Sequence, residues 1–239
     1  MVEAARVGRG RTRRVTTIGL TACAALLVAA SFTGAQWDRA TPPREPGAEL
    51  ALFPNGPWVK PLLLGRARLV ADFAWLEAIQ YYGAHRKTDR RYPYAETLFR
   101  TLVGLDPSFE NAYILGALIL ADDAKKFDAA DALLSSGMAA NPTSWRLAFE
   151  RGFLHYLRGP DRVVAAQFLA KASVIEGAPE SVQRLAAYVA GRSGDRELAI
   201  RLWRDVLVQS DNPEIRRVAE DYLRDLGAAA PVDGEGTQR

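Results

Sequence analysis

One cysteine, two histidines and two methionines occur in 239 residues. A lone cysteine closes no internal disulfide, and two histidines beside it do not build a cysteine/histidine metal cage. No metal and no cofactor is therefore expected. Net positive charge is absent outside the N-terminus. The net charge is +3, and residues 1–14 carry Arg6, Arg9, Arg11, Arg13 and Arg14 against Glu3, a local +4 that leaves the remaining chain at −1. That balance excludes a basic face broad enough for nucleic acid. Apolar residues are plentiful at 49%, with 25% charged, the proportions of a globular chain able to bury a core.

Val15 to Ala35 contains no charged residue. A helix of that length spans about 30 Å, the thickness of a hydrocarbon core. Arginines precede it and Trp37 follows it, so the N-terminal end is expected in the cytoplasm and the bulk of the chain outside. Leu20-Thr21-Ala22-Cys23 has the form of a lipoprotein cleavage box. The strongest apolar stretch, Ala24–Phe32, follows Cys23 and would become the exposed end of a lipoprotein, so Cys23 reads as a small apolar residue inside the span. Thr33-Gly34-Ala35 offers a rival, a signal-peptide cleavage site that would release a soluble periplasmic protein. Arg13-Arg14 lacks the apolar follow-up of a twin-arginine signal. The preferred reading is an uncleaved signal-anchor helix over 15–36 behind a cytoplasmic tail, 1–14, in the inner membrane.

Residues 37–61 hold Pro42, Pro43, Pro46, Pro54, Pro57 and Pro61, a density that favours extended chain and predicts a stalk. Leu50, Leu52, Phe53 and Trp58 predict that its distal half docks on the domain beyond. From Leu62 the apolar residues recur at helical spacing. Helix-ending pairs then repeat, Asp106-Pro107, Asn141-Pro142, Ala178-Pro179 and Asn212-Pro213, at spacings of 35, 37 and 34. That period in helical sequence predicts a solenoid of helix pairs. Small residues mark close approaches, Gly83 with Ala95, Gly116 with Ala130, Gly152 with Ala166 and Ala187 with Ala199. After Pro213, Ile215, Val218, Ala219, Tyr222, Leu223 and Leu226 form one apolar face of a capping helix, ended by Gly227. The tail, 227–239, is small, polar and expected to be disordered.

Tyr92-Pro93-Tyr94-Ala95 running to Leu105-Asp106-Pro107, Phe127-Asp128-Ala129-Ala130 running to Asn141-Pro142, and Ala186-Ala187 through Gly194-Asp195 to Ala199 resemble the tetratricopeptide repeat (TPR) family over residues 62–226. Two extra residues between Gly116 and Phe127 and the turn at Gly159-Pro160 depart from its pattern. The block from Ala71 to Gly83 is similar to the opening helix of bacterial membrane-tethered repeat proteins. The resemblance implies an all-α, right-handed solenoid of antiparallel helix pairs, about four pairs and a cap, behind the transmembrane helix. It also implies groove positions around each small residue of a first helix: Tyr113, Ala117 and Leu120 around Gly116, Phe149, Phe153 and Tyr156 around Gly152, and Arg184, Tyr188 and Gly191 around Ala187, with Arg192 adjacent.

Candidates for chemistry are few. His85 reads as a surface histidine favoured by a helix C-terminus, and His155 as structural or groove-lining. Asp72 is expected to pair with Arg68, one turn earlier. Trp75 is expected to be structural. Glu77, Asp122, Asp123 and Glu150 are the carboxylates available for glycan hydrolysis, but no catalytic motif brackets them. A hydrolase would place two carboxylates across one cleft, while an adaptor would place aromatics and arginines there. The groove list, Tyr113, Phe149, Phe153, Tyr156, Arg184, Tyr188 and Arg192, favours the adaptor. It would be a non-enzymatic, membrane-anchored scaffold that holds a protein or peptide on the extracytoplasmic side and supports a membrane or envelope complex.

Overall fold

The computed structural model describes residues 63–228, with Ala29 and Gln36, which are helical. The expected cytoplasmic tail, anchor, stalk and most of the C-terminal tail lie outside the described residues. By contacts the chain divides into Met1–Glu45 and Pro46–Arg239, and the helices below belong to the second unit. Among the described residues there are nine α-helices and no strand, and no helix is long and apolar enough to cross a membrane.

The first helix, α1 (Ala67–Lys87), buries Ala71, Ala74, Ala78 and Tyr81 at helical spacing. Leu69, Phe73, Leu76 and Ile79 stand exposed on it. The buried alanines let α2 (Ala95–Leu105) lie close, with Leu98, Phe99 and Leu102 fully inside. Each such side chain contributes about 1.5–3 kcal/mol by leaving water. Next, α3 (Glu110–Leu118) runs into a π turn, Ile119–Asp123, where the Ala124 N–H donates to the Ile119 carbonyl at 2.9 Å. The widened turn absorbs the extra residues seen before Phe127 without breaking the helix. It is followed by α4 (Phe127–Ala140).

Side-chain caps fix most later helix starts. Ser144 accepts from Leu147 at the head of α5 (Trp145–Arg158), and Asp161 accepts from Val163 at the head of α6 (Arg162–Ser173). Next comes α7 (Glu180–Ser193), which stops at Gly194, φ +85°, a conformation that suits glycine. Asp195 caps α8 (Arg196–Gln209), and Asn212 caps α9 (Pro213–Asp225), with Pro213 in its first turn.

Every helix packs on the next in chain order, and α2 also touches α4 as α3 touches α5. The small residues do the close work. A methyl on Gly116 would sit 2.7 Å from Phe99 and Leu133, and one on Gly152 would sit 2.8 Å from the Leu169 backbone nitrogen. Ala95, Ala130, Ala166, Ala187 and Ala199 are fully buried. Gly83 is different: nothing lies within 4 Å of where its Cβ would be, because Ala71, Ala74 and Ala78 make the close contact of α1 instead.

Polar ties recur at one repeat length. Asn141 Nδ2 donates to the Pro107 carbonyl, 34 residues away, at 2.8 Å. Arg146 donates to Asn111 Oδ1, 35 residues away, and Arg158 to Asp122 Oδ1, 36 residues away. The core forms two large clusters. One centres on Phe99, Leu102, Tyr113, Leu120 and Leu134. The other centres on Leu169, Val189, Trp203, Leu207 and Leu223. A small third cluster, Ala148, Ala172 and Val182, joins α5, α6 and α7 beneath Trp145 and Phe149.

Candidate partner-binding groove

The groove residues expected on α3 are core. Tyr113 is 2% exposed, with its hydroxyl donating to the Pro107 carbonyl at 3.3 Å and its ring under Gly137. Ala117 and Leu120 are buried with it. The physical reason is coverage: α5 packs onto α3, and Leu147 and Leu154 of α5 join the same cluster.

Phe149, Phe153 and Tyr156 on α5 and Arg184 and Tyr188 on α7 are half-exposed, and Gly191 and Arg192 are exposed. Phe149 and Phe153 stack with ring centroids 5.7 Å apart and planes 10° apart, and Trp145 meets Phe149 edge-on at 6.3 Å. Spacing of four residues puts these three rings in one row on α5. Tyr156 leans on the second core cluster, as does Tyr188. The Arg192 guanidinium lies 6.0 Å from the Tyr188 ring centre, and Tyr222 of α9 meets Tyr188 edge-on at 6.3 Å while stacking on buried Trp203 at 4.5 Å. The expected continuous stripe is thus two sets, one on α5 and one across α7 and α9, with no ring contact between them among the described residues.

A cleft of about 280 Å³ opens between α5 and the start of α7. Trp145, Phe149 and the stem of Arg146 wall one side, and Pro179, Ser181, Val182 and Leu185 the other. Its floor shares Val182 with the small third cluster, where the two large clusters part. Glu150 also lines it. Burial pushes the Glu150 carboxyl above its usual range, and Arg146 opposes that shift. Trp145 and the α7 wall did not stand out in the sequence, although Trp145, Phe149 and Phe153 at four-residue intervals carry the signal.

The other carboxylates lie elsewhere. Glu77 and Asp72 are exposed, and Asp122 pairs with Arg158 at 2.9 Å. Arg68 does not pair with Asp72; its Nε is 3.9 Å from Asp106. Glu150 is therefore the single carboxylate of the cleft. Among the described residues no group of histidine, cysteine and carboxylate side chains is arranged to hold a metal.

Both histidines are sequestered. His85 is 7% exposed rather than on the surface, because the rings of Tyr81 and Tyr92 close over it at 4.6 and 6.1 Å. Its Nδ1 bonds Asp89 at 2.7 Å. His155 Nε2 donates to Asp131 Oδ1 at 2.8 Å, while Arg151 grips the same carboxylate from Nε at 2.7 Å and Nη2 at 2.9 Å. The Arg151 guanidinium lies 4.3 Å from the centre of the Phe168 ring. Burial alone would raise the Asp131 carboxyl, but these two donors outweigh it and hold it below its usual range. The cluster fastens α4, α5 and α6 together.

No family model matches the chain, and no curated protein matches it. Among solved structures, the chain is similar to a thermophilic TPR protein of Thermus thermophilus, at 18% identity and a TM-score of 0.40, over 70% of this chain and 95% of that one.

Proposed function

We propose that this chain is a helical solenoid of TPR type, tethered to the inner membrane by residues 15–36. In this reading it binds a protein or peptide partner on the extracytoplasmic side and supports assembly of an envelope complex. The observation that carries the binding role is the half-exposed ring row of Trp145, Phe149 and Phe153 beside an open cleft. Contiguous exposed aromatics on one chain call for something to cover them, and such rings dominate binding energy at interfaces. A glycan hydrolase uses two carboxylates about 5–10 Å apart, and the cleft offers Glu150 alone, which supports binding over hydrolysis.

The test places a photoreactive amino acid at Phe153 and, as control, at Arg201 on α8, in intact membranes. Adducts from Phe153 alone are expected; equal labelling from both sites sinks the groove. The anchor is tested separately by the mass of the membrane-extracted chain. A mature protein beginning at Gln36, or one lipidated on Cys23, removes the tether.

A further inference from the structure

We propose that the cleft between α5 and α7 takes a basic side chain, lysine or arginine, from an extended segment of the protein partner. This rests on the groove being the binding face and names what one end of it accepts. Three observations lead there. First, Trp145 and Phe149 wall a cleft of about 280 Å³, room for one long side chain rather than a drug-sized ligand. Second, Glu150 lines the cleft and takes no hydrogen bond or ion pair from any described residue. A half-buried carboxylate without a hydrogen-bond donor is costly, and a cation seated beside it recovers that cost. Third, the row continues past the cleft as the stacked Phe149–Phe153 pair, an apolar strip for the residues flanking the basic one.

Arg146 is the competing charge. It is exposed, and its guanidinium already donates to Asn111 Oδ1 at 3.3 Å, directed to the neighbouring repeat. Glu150 is half-buried where Arg146 is exposed, so the cleft favours a cation. The ring faces add to this, because an ammonium or guanidinium over tryptophan is attracted by the π cloud. The raised Glu150 carboxyl agrees, since burial disfavours its charge and Arg146 only partly offsets this. The cleft is then acidic and aromatic, whereas Arg192 lies in the last turn of α7 beside Tyr188.

The full-length chain, in mild detergent and labelled with 5-fluorotryptophan, is titrated with the pentapeptide acetyl-Ala-Ser-Lys-Ser-Ala-amide. The Trp145 fluorine signal, assigned through Trp145→Phe, is the readout. The lysine peptide should shift it saturably, and the same peptide with norleucine or glutamate for lysine should bind at least about tenfold more weakly. Glu150→Gln should weaken the lysine peptide by a similar factor while leaving the melting temperature unchanged or higher. Norleucine binding as well as lysine would make the cleft a mere apolar slot and overturn the proposal. So would tighter binding of glutamate, unchanged lysine binding by Glu150→Gln, or no saturable shift. n-Butylammonium matching the peptide would overturn a partner segment in favour of a free amine. If lysine binding fails while the Phe153 photocrosslink persists, the occupant is wrong and the groove stands. Lysine-selective binding without a Phe153 crosslink supports the cleft and sinks the adaptor.

Discussion

Asp131 shows how one residue of α4 holds two side chains of α5. Its carboxylate takes both Arg151 and His155, and neither donor adjoins it in sequence. Asp131→Asn should cost about 1–2 kcal/mol in urea unfolding at neutral pH, less than a fully buried pair because the site still touches water. The pH dependence has a defined sign. The folded carboxyl is held below its usual range, so its stabilisation is present above the unfolded value of about 4 and is lost as pH falls through the folded one. The gap between parent and Asp131→Asn should therefore close below about pH 4; a gap that stays constant would mean that the charge contributes nothing. Glycines give a second residue-scale contrast. Gly152→Ala would drive a methyl to 2.8 Å from the Leu169 backbone, at a cost of about 1–3 kcal/mol. Gly83→Ala meets nothing and lies inside α1, so it should stabilise by about 0.5–1 kcal/mol. Thermal melts of the two variants should move in opposite directions. Spacing alone puts both glycines in the same role, and only the positions of Ala71, Ala74 and Ala78 distinguish them.

At the scale of elements, the repeated prolines and small residues were legible because they act locally. Asn212 and Pro213 start a helix by their own chemistry, and Gly194 ends one by its backbone freedom. The faces of the helices were less so. A period names which residues share a side, and the packing partner decides which side stays open. Tyr113 and Phe149 occupy equivalent places before Gly116 and Gly152, yet α5 seals the first and leaves the second at a cleft edge. The π turn after α3 adds to this, since it shifts the helical phase beyond Leu118 in a way that residue counting does not resolve. Trp75 is similar: it meets Phe109 at 5.1 Å, but Phe73 and Leu76 beside it are 61% and 55% exposed. Between elements, Asn141 joins the end of α4 to the α2–α3 turn through bonds to Gly137 and Pro107. Asn141→Ala should cost about 1 kcal/mol, because the Pro107 and Gly137 carbonyls each lose one of two donors. Unfolding by circular dichroism checks this, and an unchanged midpoint would reduce Asn141 to a surface turn.

At the scale of the whole molecule, the division of the core matters more than any one helix. The sequence legibly carried the all-helical succession, since the helix ends are written in local punctuation. It did not show that the buried residues gather into two large clusters, with Ala148, Ala172 and Val182 as a small third at their junction. That junction shares Val182 with the cleft, so the candidate binding face sits at the boundary between the two large clusters. Helices that contact chiefly their neighbours open in segments when the links between them are weak. Leu223 is fully buried on α9 in the second cluster, far along the chain from the first. Leu223→Ala should cost about 2–5 kcal/mol within that cluster. In native-state hydrogen exchange, amides of α7, α8 and α9 should lose protection first and by most of that amount, while α2, α3 and α4 keep theirs. An equal loss along the whole chain would show that the small junction couples the two clusters into one cooperative core. A partner seated in the cleft would bridge the same junction, so its binding should slow exchange on both sides of it, in α5 and in α7.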